Sequence, residues 1–398
     1  MNLFNTQSGQ IERFTPPVGP VGIYVCGITP YDTTHLGHAF TFLSFDLLIR
    51  YLQASGQDVT YVQNVTDIDD DILRKAKELD MGWEELGRRE TDKFLNDLRA
   101  LNARMPDHYV RATDHIPEMI TIIDHLIGKG HAYRANGNVY FAVATDPTFG
   151  KLSKIAPDQM LAVANERGNQ PDDPHKRDSL DFVLWQAAAP GEPTWESPYG
   201  RGRPGWHIEC SAMAERYLGH TIDIHGGGAD LVFPHHECEI AQSELASGVE
   251  PFARWWMHVA MVDYQGEKMS KSLGNLVIVG DLLRHHHPDA VRLTLASHHY
   301  RASWEYLDGE IEQMAALAAD LREAADFGAN GIEEILDVSP QRERFFNALE
   351  DDLNAPLAIT ALAEVAQAIL EAPDEDDVRD AQDSLRQMSD ILGLTLAS

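Results

Sequence analysis

The sequence predicts an α/β protein in which a helix-covered parallel sheet is interrupted by an insertion and followed by a helical bundle. Three observations carry that reading. An apolar stretch at residues 21–26 reads as a buried strand and runs through Gly27 and Pro30 into an apolar-periodic segment, residues 39–52, with helical spacing. A second strand-like run at Val59–Val65 leads to an acidic turn at residues 67–71, and strands separated by helices pair in parallel. Beyond Trp304 the apolar spacing becomes helical throughout, at residues 311–325, 341–370 with a break near Pro356, and 378–392.

Between these parts, residues 117–129 are expected to form a helix and Gly137 to turn a hairpin. A loop-rich stretch follows, punctuated by Gly168, Pro171, Pro174, Pro190 and Pro193. The sheet is expected to resume at residues 222–225 and 255–261, separated by a glycine turn at 226–228 and a helix at 234–247. The chain thus divides into residues 1–115, the first half of the α/β domain; 116–200, a connective insertion; 201–275, its second half; and 276–398, a stem and bundle.

The formal charge is −31 over 398 residues, and residues 305–398 carry 23 acidic side chains against 5 arginines and no lysine, which reads as a solvated acidic face and disfavours a polyanionic partner. No basic leader precedes an apolar core at the amino terminus and no apolar run is long enough to span a bilayer. A cytoplasmic protein is expected, without membrane association and monomeric. Three cysteines, Cys26, Cys210 and Cys238, do not make a disulfide scaffold.

Two motifs about 230 residues apart carry chemistry. His35-Leu36-Gly37-His38 puts two imidazoles at a helix start, where ring N–H groups and the helix dipole can hold a triphosphate. Lys268-Met269-Ser270-Lys271-Ser272 offers two ammonium groups on a glycine-flanked loop able to close over the same phosphates. Together they point to nucleotide-dependent activation of a carboxylate, a reaction helped mainly by positioning and charge neutralisation. Cys26, Cys210, His235 and Glu239 form a candidate metal set, the last two at an i, i+4 spacing that shares one helix face. His285-His286-His287 reads as a solvated helix face, and Cys238 as structural.

The two motifs in this α/β context resemble the HIGH and KMSKS signatures of class I aminoacyl-tRNA synthetases. The resemblance implies a Rossmann-type parallel sheet and a catalytic role for His35, His38, Lys268 and Lys271. Within that class the chain is similar to cysteinyl-tRNA synthetases, which implies Zn2+ on Cys26, Cys210, His235 and Glu239, ATP as substrate and Mg2+ screening its phosphates. It also implies that Thr29, Thr41, Asn64, Thr66, Trp206, Gly228, Asp230 and Val262 surround the cysteinyl-adenylate. A thiophilic metal explains how serine is rejected where an apolar pocket alone would discriminate weakly.

Two related families share these features, and they differ in the acceptor of the cysteinyl group. The segments at 26–32, 176–178, 184–185, 190–195 and 298–301 resemble the cysteine ligase of mycothiol biosynthesis, which implies the amine of glucosaminyl-inositol. The acidic charge and the chain's stop after the bundle, where tRNA-charging relatives continue into an anticodon-reading domain, agree with that acceptor. Glu239, Leu273 and the sequence at 166–171 resemble the tRNA-charging family instead, which keeps tRNA, another small amine and an inactive cysteine- or adenylate-binding paralogue as alternatives.

Overall fold

The computed structural model describes residues 1–32, 34–269, 274–328, 331 and 334–397, with Lys268 described by its backbone alone. Strand β1 (Val21–Ile28) runs into helix α1 (Leu36–Ala54), then strand β2 (Val59–Val65), helix α2 (Asp70–Glu78) and a short strand β3 (His108–Arg111). After the insertion the chain continues through α3 (Trp206–Leu218), β4 (Ile222–Gly228), α4 (Glu237–Ser247) and β5 (Ala253–Val259). The central sheet has the order β5-β4-β1-β2-β3 with every pair parallel, as the strand and helix alternation requires. Chain order reverses between β1 and β4, so a crevice opens at their carboxyl ends, where α/β sheets bind ligands.

Several expectations change. Residues 226–228 continue strand β4 rather than turning, pairing with Met257, His258 and Val259. Glycine is required there by close approach, since a Cβ on Gly226 would lie 2.1 Å from Met257 O. The loop-rich stretch holds a helix, Pro157–Asn165, and two strands, Phe182–Ala187 and Gly202–Pro204. These join the hairpin Ala132–Ala135/Asn138–Phe141 in a four-stranded antiparallel sheet. His285 to His287 lie in the turn before helix α5 (Pro288–Ala296) rather than on a helix face, and His287 Nδ1 accepts from Asp289 N–H at its start.

The bundle helices Glu310–Ala325, Ser339–Glu350, Ala355–Leu370 and Arg379–Ile391 share one continuous apolar core with α1, including Phe40, Phe45, Leu48, Leu321, Leu362 and Leu385. A buried ion pair adds to this junction. Arg292 of α5 meets Asp46 of α1, and its remaining N–H groups donate to Leu392 O and Leu101 O. No helix among the described residues is long and apolar enough to cross a membrane.

Candidate active site

A cleft of about 1360 Å³ opens over the carboxyl ends of β1 and β4. Strand β1 delivers Cys26 to its floor because Gly27 lets β2 approach: a Cβ there would fall 1.7 Å from Asn64 O, and Gly27 N–H donates to Asn64 Oδ1 at 2.8 Å. Asn64 and Thr66 are themselves buried, joined by a 3.4 Å hydrogen bond, so they brace the end of β1 from behind. Thr29, Thr41, Trp206, Gly228, Asp230 and Val262 line the cleft with His35 and His38.

The two histidines stand at the start of α1 with rings stacked at 3.8 Å, and no acidic side chain occupies that first helical turn. The helix start therefore keeps its positive end for an anion. Downstream of the lysine motif, Leu36 N–H donates to Val277 O at 2.8 Å and Val279 N–H to Thr34 O at 3.1 Å, which fastens that segment beside the histidines. Lys268 ends a short strand, Met269 lines the cleft, and Lys271 lies outside the described residues.

Cys26, Cys210, His235 and Glu239, remote in sequence, converge with all four ligand atoms within 4.8 Å of one another, every one buried. Cys26 Sγ is 3.6 Å from both Cys210 Sγ and Glu239 Oε1, and His235 Nε2 is 3.1 Å from Glu239 Oε1. A tetrahedron with zinc–sulfur bonds near 2.3 Å and zinc–nitrogen or –oxygen bonds near 2.0 Å has edges of roughly 3.3–3.8 Å. The donor set and its spacing fit zinc.

Behind it, His225 Nε2 hydrogen-bonds Glu239 Oε2 at 2.9 Å, while His236 bridges Cys26 Sγ at 3.3 Å and His258 Nε2 at 2.7 Å. Cys26, His225, His236 and Glu239 form an overlapping second set of donors. Sequence reasoning missed these three histidines; His225 pairs in register with Trp256 and His258 with Gly227 on the adjacent strands. Cys238, expected to be structural, is buried and also borders the cleft.

Electrostatics divide the cluster. Burial alone would raise the Glu239 carboxyl, but the His225 and His235 rings pull it down to about 2. Burial would lower His235, yet Glu239 and Cys210 raise it to about 10. Burial and the neighbouring Cys210 and Glu239 push the Cys26 thiol up. Cys210, against its own burial, is drawn to about 6 by its hydrogen bond from Cys26 and by His235. His236 is held neutral by burial and the surrounding imidazoles, and His258 falls to about 3 by burial and His225.

Comparison with known proteins places the chain in a family. The model of the tRNA synthetases class I (C) catalytic domain matches residues 15–316, and that of the DALR domain residues 344–397. A cysteine–tRNA ligase of Dehalococcoides mccartyi is 44% identical over 402 residues, spanning 100% of this chain and 86% of that protein. An L-cysteine:1D-myo-inositol 2-amino-2-deoxy-alpha-D-glucopyranoside ligase of Parafrankia is 45% identical, spanning 97% of this chain and 88% of the relative. A ligase of the same name from Thermomonospora curvata is 43% identical, over 100% and 94%. The fold is shared with Mycobacterium tuberculosis methionyl-tRNA synthetase, solved with methionyl-adenylate: TM-score 0.65 at 15% identity, covering 94% of this chain and 90% of that one. With the class I catalytic-domain model matching residues 15–316 and these relatives named as ligases of cysteine, the chain belongs to the class I tRNA synthetase family as an ATP-dependent cysteine ligase.

Proposed function

We propose that the chain activates cysteine as cysteinyl-adenylate at a zinc site of Cys26, Cys210, His235 and Glu239 and transfers the cysteinyl group to the amine of glucosaminyl-inositol. The observation that carries cysteine activation is the convergence of two thiols, an imidazole and a carboxylate in a buried set that reaches, through Cys26, the cleft also lined by His35 and His38. Zinc bound there would hold the substrate sulfur as thiolate and favour it over a hydroxyl. His35 and His38, with Lys268 and Lys271 of the lysine motif, neutralise the phosphates, and Mg2+ would add its charge to theirs when bound. The cysteine carboxylate attacks the α-phosphorus and the bond to pyrophosphate breaks. Asp230 and Gly228 border the ribose position, Val262 the base, and Thr29 and Trp206 the amino acid.

The acceptor reading rests on the charge of the cleft. Among its described lining residues, Asp69, Asp70, Asp71, Glu166, Asp173 and Asp230 outnumber Arg74, Arg167, Lys176 and Arg203, an excess of carboxylates that suits an acceptor bearing an amine. A tRNA acceptor is the second reading. It is favoured by Glu239, a ligand-set residue resembling the tRNA-charging family, whose Oε1 lies among the candidate ligand atoms. The test is AMP formation by zinc-loaded protein with ATP and cysteine, adding glucosaminyl-inositol or total tRNA. Stimulation by the amino sugar supports the first reading, and stimulation by tRNA alone replaces it with the second.

A further inference from the structure

One arm of the connective insertion is fastened to the wall of the cleft that carries Asp230. Helix Pro157–Asn165 packs Met160 and Ala164 against the buried ring of Phe233, which Phe149 meets edge-to-face at 6.1 Å. Just past that helix, Arg167 Nη1 donates to the carbonyl oxygens of both Asp230 and Phe233. Arg167 borders the cleft together with Gly228, Asp230 and Phe233.

Their own segment serves these two carbonyls poorly. After β4 the chain makes one turn, Ala229–Leu231, and passes through Val232–His236 into α4. An α-helical carbonyl accepts from the N–H four residues on, and for Asp230 that residue is Pro234, which has none. Phe233 departs to extended backbone, φ −141° and ψ 135°, which turns its carbonyl out of the helical run. A carbonyl withdrawn from water without a donor is costly, and the guanidinium supplies the missing bonds. The Asp230 carboxylate itself folds back over the end of β4, where a Cβ on Gly228 would fall 2.6 Å from its Oδ1. The place of that carboxylate therefore depends on how the turn after β4 is held.

We propose that Arg167 is a positioning residue for nucleotide binding: by holding the Asp230 and Phe233 carbonyls from the insertion, it fixes the Asp230 carboxylate at the ribose side of the cleft. This rests on the activation reading above, in which Asp230 borders the ribose. Arg167 acts through the backbone of the residues it holds, and the insertion becomes a working part of the activation site. Because both bonds leave one nitrogen, the requirement is for one multiply donating group rather than for the flat fork of a guanidinium, and a lysine ammonium can meet it in part.

The test separates binding from chemistry. Equilibrium titration of zinc-loaded protein with ATP gives Kd, and cysteine-dependent ATP–pyrophosphate exchange gives KM for ATP and kcat, for wild type, Arg167→Met and Arg167→Lys. Methionine keeps the unbranched stem and removes the donors, so Kd and KM for ATP should rise about tenfold while kcat changes by less than about threefold. Lysine should recover most of that loss, returning both constants to within about threefold of wild type. Zinc content should match wild type in both variants. Kd and KM within about twofold of wild type in Arg167→Met, a fall in kcat at unchanged KM, or a lysine variant as impaired as the methionine one overturns the assignment. Loss of zinc from Arg167→Met also overturns it, since the bonds would then support the fold at large. Wild-type protein without cysteine-dependent exchange overturns the activation reading beneath, a result visible without any variant.

Discussion

Zinc uptake should release about two protons per ion near pH 7.5, because candidate ligands must bind deprotonated and their charge states in the free cluster are unequal. Glu239, drawn to about 2, is already ionised, and Cys210, drawn to about 6, is mostly thiolate. His235, raised to about 10 by Glu239 and Cys210 against its burial, is an imidazolium that must lose a proton, and the raised Cys26 thiol must lose another. Zinc affinity should therefore climb with pH from neutrality towards pH 10, where protons stop competing for His235. The assay is calorimetric titration of metal-free protein with zinc in buffers of different ionisation enthalpy, whose slope counts protons. Release of fewer than about one proton, or affinity independent of pH, would refute this charge assignment. His235→Ala separates the two overlapping donor sets, since it removes a ligand from the first only.

Two further outcomes test how the site is held. Arg292→Met should lower unfolding stability by about 1–3 kcal/mol in urea titrations, because it removes one of the two guanidinium partners of buried Asp46, which keeps Arg50, and strips donors from Leu392 O and Leu101 O; a loss under about 1 kcal/mol would show that the bundle junction does not depend on this ion pair. Gly27→Ala should cost about 1–3 kcal/mol or more and weaken zinc binding, since the new methyl meets Asn64 O and must part β1 from β2 beside Cys26; unchanged zinc affinity would contradict the role given to that close approach.

Much of the site was legible because its chemistry resides in residue types that are rarely placed together by chance. The two histidines at the start of α1 and the Cys26, Cys210, His235, Glu239 set were readable from motif and resemblance, and the fold brings the set within 4.8 Å. The histidines behind it were not legible, since His225 and His258 each stand alone in an apolar strand and His236, next to His235 at the start of a helix, gives no sign that Cys26 will meet it. Three glycines at 226–228 read as a turn because glycine signals local freedom. Here they answer instead a packing demand from Met257, Leu231 and Asp230, which no local pattern encodes. Helix Pro157–Asn165 was hidden by the glycines and prolines around it, although Pro157 at its first turn is a helix-start signal. Strand β3 is four residues, half of them exposed, and its partner β2 supplies the burial that makes it a strand.

The central claim, ATP-dependent activation of cysteine by the thiol, imidazole and carboxylate cluster, is tested most directly by amino-acid-dependent ATP–pyrophosphate exchange with the zinc-loaded chain. Cysteine should support exchange and serine should fall behind by more than the roughly 10²-fold that an apolar pocket can supply, with Cys210→Ser removing most of the activity. Equal exchange with serine, or none with cysteine from folded, zinc-loaded protein, would contradict it.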